Sequence, residues 1–475
     1  MTVRPALSLR EAVAAVQRDA PDSYHVCGAP ITRAAVGGDF AARFAGIPAN
    51  ALARPEHIAV YTDLEGSDMP LVLGAYGDAE RVRGWLPGLA RRTNRESVER
   101  LLAAVRAPET MRSPPCQQRV EKADFDIGRL AVQATPRDAG PYLTTGLVYA
   151  RDEVTGEVAL SVHRMLVLDR TRMTIWMVPG RQLGAMHRAA VERGGRMAIS
   201  INVGAPPAAM IASALGTRFL PEHVTKLDAA GALADAPIAL AAAVSQPTSV
   251  LAESEIVLEG FLGDEVADES VSGKPDVSLP EFLGYDGDAR SGLPVVTVTA
   301  MTMRRDAMIQ GCIGPGREQS VILGLAGEVS VALSGDDADW RMIRDLHFSP
   351  AGGGMLLLFV QVRKASTEAD RGLAQIAKRI FEQHPFVKLI IATDEDVDIT
   401  STEDVLWAVT TRCNLGIDSR TFLGFKPLPM DPSQGPDWTK ARGRDGAAGP
   451  TFIDATIPYR LRHAVTRSFR STMAG

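Results

Sequence analysis

The chain has 475 residues, of which 45% are hydrophobic and 23% charged, and a formal net charge of −6. That length exceeds what a single core fills and points to roughly two to four domains, while the composition excludes a disordered or fibrous chain. No basic run supplies the charge that a nucleic-acid partner would demand, and no apolar window reaches the length of a membrane span.

The first element in chain order is a helix over residues 8–20, "SLREAVAAVQRDA". Ser8 and Glu11 are spaced as a capping box, and Leu9, Val13 and Val16 recur at helical spacing. Charged residues interrupt any secretory signal core there, so the protein is expected in the cytoplasm. "HIAVYTDL" and "PLVLGAYGD" read as short strands and "SVERLLAAVRAP" as a second helix, giving an N-terminal α/β domain over residues 1–117. Prolines cluster in 107–117, which reads as a linker. Residues 118–310 are mainly strand-like: "YLTTGLVYARD", "EVALSVHRMLVLD", "RMTIWMVPG", "RMAISINVG", "SEIVLEGFLGD" and "LPVVTVTAMTMRRD". Helices over "QLGAMHRAAVERG" and "PPAAMIASALG" interrupt them, so a sheet or barrel with helices packed on it is expected. Over 311–475, "GGMLLLFVQVRK", "EADRGLAQIAKRIFEQHP", "VKLIIATDEDVD" and "TEDVLWAVTTRC" alternate as βα units of a third domain. The tail "YRLRHAVTRSFRSTMAG" has basic helical character. The expected fold class is therefore α/β (α+β) and multidomain.

Cys27, Cys116, Cys312 and Cys413 stand singly, which argues against a zinc knuckle or a disulfide framework. The eight histidines form no HExxH or comparable cluster. No glycine run has the form of a Walker or Rossmann phosphate loop. "TDEDVDITSTEDV" reads as a loop plus helix N-cap, with a divalent-metal site as the alternative. Arg164, in the apolar strand "LSVHRMLVLD", either reaches an edge to pair with a surface acid or anchors an anion. Glu255 and Glu259 in "SEIVLEG" share one strand face, and two acids there call for an Arg, Lys or metal partner. Asp264, Glu265, Asp268 and Glu269, in "GDEVADES", read as a solvated loop.

In order and spacing, "TTGLVYARDEVTGEVALSVHRM", "INVGAPPAAMIAS", "SEIVLEG", "PEFLGY", "TVTAMTMRRDAMI", "DVDITSTEDVLWAVTTR" and "FIDAT" resemble the signature blocks of the UbiD-type decarboxylases. These enzymes use prenylated FMN, made by a partner flavin prenyltransferase, to remove CO2 reversibly from aromatic, heteroaromatic or α,β-unsaturated acids. The resemblance implies a central split β-barrel that binds the flavin and a C-terminal domain through which homodimers or larger homo-oligomers form. It also implies roles: Arg164 in the catalytic network, Glu281 as proton donor, and Asp276 as the second acid, standing where the family has a glutamate. Apolar neighbours in "LPEFLGY" favour the protonated acid that a donor must be. Cofactor contacts carry over to Val162, His163 and Arg164, to Trp176, Met177 and Val178, to Arg181 and Gln182 near the phosphate, and to Glu255 as the metal ligand.

The sequence departs from the family at the ion. Ala159 stands where an Asn coordinates Mn2+, and Gln182 where many members have His, so the divalent site is expected to be weakened. That leaves Glu255 to meet a monovalent ion such as K+, or a lysine. The altered "DVSLPE" loop points to a divergent branch, for which a specialised substrate of secondary metabolism is expected. Two rival readings are an oxidoreductase with ordinary FMN on a split barrel and a degenerate family member kept for binding or assembly. A buried proton donor argues against the first, because hydride chemistry has no use for one.

Overall fold

The structure, a computed structural model, describes residues 5–44, 56–132, 135, 138–270, 277–280, 284–313, 316–426, 428, 431–442 and 449–467. Asp276 and Glu281 lie outside the described residues. The chain divides into two compact units, residues 1–89 with 104–322, and residues 90–103 with 323–475.

Helix α1 (Leu9–Asp19) forms as its pattern predicts: the Ser8 side chain accepts from the Glu11 N–H, and Leu9, Ala12, Val13 and Val16 are buried. Strands β1 (Tyr24–Cys27), β2 (Ile58–Tyr61) and β3 (Leu71–Leu73) follow. They form one sheet with a short strand from much later in the chain, Ile309–Gln310, which pairs in parallel with β3. The proline-rich stretch 107–117 is tied down: Glu109–Thr110 pairs with Ala239–Ala242, and Cys116 is fully buried. The four cysteines are free thiols.

The main sheet of this unit contains β4 (Arg119–Glu121), β5 (Tyr142–Arg151), β6 (Val158–Leu166), β7 (Arg172–Thr174), β8 (Met197–Val203), β9 (Ile256–Ala267) and β10 (Leu293–Met303). Its order is β4-β10-β9-β8-β5-β6, all antiparallel, with β7 paired to β10. A bridge between Val167 and Met173 links the end of β6 to β7, so the pairings return to β10 and the sheet curls on itself. Leu258, Ile199, Ile201, Val148 and Met165 fill its interior as part of one core cluster. Helices α2 (Gln182–Glu192), α3 (Pro207–Ser213) and α4 (Lys226–Ala234) are also part of this unit. The strand expected over "RMTIWMVPG" stops at Thr174, before the turn at Pro179 and Gly180, whose φ is +79°.

In the second unit β11 (Ile343–Phe348), β12 (Leu357–Val362), β13 (Leu389–Asp394), β14 (Ser419–Thr421) and β15 (Thr451–Asp454) form a sheet of order β11-β12-β13-β15-β14. Its centre, β12-β13-β15, is parallel, as βα units require. Helices α5 (Thr367–Gln383) and α6 (Thr402–Arg412) occur where their periodicity places them. The acids of "TDEDVDITSTEDV" do the work of a loop and cap: Ser401 accepts from the Asp404 N–H, and Arg412 pairs with Asp394 and Asp396. Among the described residues of the tail no longer helix forms: Tyr459–Leu461 is a single 3₁₀ turn, and turn and irregular backbone follow to Arg467.

Candidate active site

The site is built where β6, the segment after β7, the first turns of α2 and α4, and the end of β9 converge. Alternation along β6 gives Val162, His163 and Arg164 different surroundings. His163 is buried, with Nδ1 2.9 Å from the Trp176 carbonyl and Nε2 2.8 Å from the Ser161 hydroxyl. Nδ1 must donate to that carbonyl, leaving Nε2 as acceptor. Burial, with the nearby Lys226 charge, pushes the imidazole down to about 4, so it is neutral. Its bond fixes the main chain of the segment Trp176, Met177 and Val178 against β6.

Arg164 does not pair with a surface acid. Its guanidinium meets Glu269 at 3.1 Å, and the Glu269 side chain is 1% exposed. The Tyr142 hydroxyl lies 3.3 Å from the other Glu269 oxygen. Burial, reinforced by the Glu269 charge, pushes that phenol far above its ordinary value, so it is a donor. Arg164 also lies over the Trp176 ring, 5.1 Å from its centroid, and Arg290 lies 4.5 Å from the same ring. The expected exposure of "GDEVADES" therefore holds for Asp264, Glu265 and Asp268, but the expected loop is corrected for Asp264 and Glu265, which β9 carries as strand residues, and the exposure is corrected for Glu269, which is buried. Nothing local marks Glu269 in a charged run. The only available signal was that a cation on an apolar strand needs a buried counter-charge.

Arg181 occupies the N-cap of α2 and makes no side-chain cap bond, and no acid stands in that helix's first turn. Gln182 is the first helical residue. At the start of α4, Lys226 donates to the carbonyls of Leu160 at 3.0 Å and Ser213 at 2.5 Å. Burial and the Arg181 charge push this amine down to about 7. Lys226 escaped the sequence reading because "VTKLDAAGALA" shows only a capping box, which does form between Thr225 and Asp228.

Glu255 is fully buried at the mouth of β9 and is held by Arg10 Nη2 at 2.7 Å, Arg10 Nε at 3.2 Å and the Met308 N–H at 3.2 Å. Arg304 Nε lies 3.6 Å away. Glu259 takes a different partner: the N–H groups of Val244 and Ser245 and the Ser245 hydroxyl bind its carboxylate, so backbone dipoles serve where a cation was expected. A hard divalent ion needs several oxygen ligands. Both Glu255 oxygens are already occupied by guanidinium or amide donors, and Ala159 has no ligand atom. Among the described residues no group of three His, Cys, Asp or Glu could hold a metal. The residues present do not fit a divalent ion. An anionic, aromatic cofactor fits better, with cations at Arg181 and Lys226 and an indole at Trp176.

Known proteins resemble this chain over most of its length. Residues 109–318 match the 3-octaprenyl-4-hydroxybenzoate carboxy-lyase Rift-related domain, and residues 325–446 match the C-terminal domain of the same carboxy-lyases. The chain is 33% identical over 373 residues to gallate decarboxylase of Lactiplantibacillus plantarum, covering 76% of each. The apo structure of a 3,4-dihydroxybenzoic acid decarboxylase from Enterobacter cloacae superposes with a TM-score of 0.88 at 30% identity, covering 98% of this chain and 97% of that one. The UbiD-class enzyme HmfF of Pelotomaculum thermopropionicum, solved in complex with prFMN, shares the fold at 24% identity, with a TM-score of 0.76 and 98% of each chain covered. Fold and matched domains together define a carboxy-lyase. The chain belongs to the UbiD family of decarboxylases.

Proposed function

We propose that this protein is a prenylated-FMN-dependent, reversible, non-oxidative decarboxylase of an aromatic or otherwise conjugated carboxylic acid, with aryl acids as its first candidate substrates. The observation that carries this reading is Arg164, paired with the buried Glu269 and stacked on Trp176 beside a neutral His163. Identity to gallate decarboxylase and to a 3,4-dihydroxybenzoic acid decarboxylase supports the choice of aryl acids.

Val162, His163, the segment Trp176 to Val178, Arg181 and Gln182 would hold the flavin. When bound, the flavin supplies the electron sink that makes loss of CO2 from a conjugated carbon feasible. Arg164 orients the substrate carboxylate through its planar fork of donors, and Glu269 holds that fork in place. Glu281, with Asp276 five residues before it as the second acid, is the proposed proton donor to the carbon that loses CO2. The same proposal includes a flavin-binding domain over 118–310, a C-terminal domain over 311–475 that forms the homodimer, an N-terminal domain over 1–117, a cytoplasmic setting and a flavin prenyltransferase as cofactor supplier.

The test is co-expression with a flavin prenyltransferase, then an absorption spectrum, a mass spectrum and CO2 release from a panel containing gallate, 3,4-dihydroxybenzoate and an α,β-unsaturated acid. Prenylated FMN with turnover supports the reading. Ordinary FMN without CO2 release favours an oxidoreductase, and absence of any flavin favours a degenerate binding protein. Glu281→Gln should keep the cofactor and lose at least about 100-fold in turnover.

A further inference from the structure

Lys226 is a cation in a costly place. It is the first residue of α4, where the helix dipole opposes positive charge. Its ammonium is bound by two main-chain carbonyls, those of Leu160 and Ser213, and no carboxylate among the described residues pairs with it. Two carbonyls use two of its three N–H donors, and the third remains for a ligand. Arg181, the second cation, adds its charge to Lys226, and Arg218 adds a third that acts on Arg181. Beside them the first turn of α2 presents unfilled N–H groups with no capping side chain and no acid. Charge of one sign gathered around an amide-lined helix start is balanced only by an anion.

The position of Lys226 along the chain's neighbours is equally informative. Leu160, whose carbonyl it holds, follows Ala159, which has no ligand atom, and Arg181 precedes Gln182. The ammonium thus stands beside the chain neighbours of Ala159 and Gln182, two positions where the resemblance places metal ligands, whereas Glu255 lies at the start of β9 with Arg10 and Arg304.

We propose that Lys226 is a resident cation that takes the place of a metal ion: its ammonium, with the Arg181 guanidinium and the open first turn of α2, binds the phosphate of the flavin without a divalent ion. The inference rests on the flavin reading above. It makes Lys226 a positioning residue, since its charge anchors the phosphate end of the cofactor and acts on no reacting atom.

The experiment measures dissociation constants of FMN and of riboflavin, which lacks the phosphate, for the full-length apo protein, with EDTA and then with added Mn2+. Metal content is measured by mass spectrometry alongside. Wild type should bind FMN equally with EDTA and with Mn2+. Lys226→Met should bind FMN at least about 10-fold more weakly, the loss of one charged hydrogen bond, and bind riboflavin as wild type does. Unchanged riboflavin affinity shows that the variant is folded, and Arg181→Gln, at a solvent-facing position, should give the same pattern. FMN affinity in wild type that collapses with EDTA and returns with Mn2+ overturns the inference, as does a Lys226→Met variant that binds FMN normally. Wild type that binds neither flavin overturns the functional reading instead. Inorganic phosphate then decides the cradle: a rise in wild-type Tm that Lys226→Met abolishes supports it, and no rise overturns it.

Discussion

At the scale of single residues, charges that looked alike in the sequence separate by what surrounds them. Glu269 sits between Arg164 and the Tyr142 hydroxyl with almost no exposure, whereas Glu265, four residues earlier, makes an exposed pair with Arg172. Glu269→Gln should therefore lower stability by about 2 kcal/mol, because it leaves a buried guanidinium short of its counter-charge. Glu265→Gln should stay within about 0.5 kcal/mol. Equal denaturant midpoints for the two variants would place Glu269 back in solvent. A second contrast is the buried pair Glu56 and Glu318. Glu318 accepts from the N–H groups of Gly74 and Tyr76, yet burial pushes it up from 4.5 to about 7. Burial and the Glu318 charge push Glu56 up as well. A folded value above the unfolded one means that the native state holds the extra proton between pH 4.5 and about 7, so stability falls as pH rises through that window. Glu318→Gln copies the protonated acid. The stability of wild type relative to this variant should decline by up to the order of 3 kcal/mol across the window and then level off. Urea titrations at several pH values would show the slope, and parallel curves for the two proteins would refute it.

At the scale of elements, the N-terminal helix and the central sheet are joined by ions rather than by apolar contact alone. Arg10 of α1 reaches Glu255 at the start of β9 and Asp306 just after β10. Arg10→Met strips a guanidinium from a fully buried carboxylate, and a loss of about 3 kcal/mol is expected, partly offset by Arg304. Proteolysis near α1 should accelerate in parallel. Backbone geometry protects the same acid from the other side. Gly204, which follows β8, has φ +64°, and a Cβ there would lie 2.7 Å from Glu255 Cγ and 2.8 Å from its Cβ. Gly204→Ala combines left-handed strain with that overlap, so a loss above about 2 kcal/mol is expected in the thermal midpoint or in denaturant. A neutral result would mean that Glu255 can move aside.

At the scale of the whole molecule, the chain leaves its first unit at residue 90, returns at 104 and leaves again at 323. Each unit has a hydrophobic core of its own, one around Leu258 and Met165, the other around Phe359 and Val405. Unfolding should therefore depart from two-state behaviour, with a calorimetric enthalpy larger than the van't Hoff value. FMN should raise the transition of the first unit, which contains Arg164, Arg181 and Lys226, by mass action. A single transition with equal enthalpies would contradict this division. The sequence by itself determined most elements, because apolar periodicity and caps are local: α1, β5, β6, β8, α2 and α6 stand where their patterns place them. It also determined the family, through ordered motifs, and the lack of a ligand atom at Ala159. Only the tertiary structure decided that Glu269 faces Arg164, that Glu255 answers to Arg10, and that Lys226 takes the carbonyl of Leu160, next to Ala159. These partners lie between 66 and 245 residues apart in the chain. Which distant charge neutralises a buried one is settled by packing, and no local spacing encodes it.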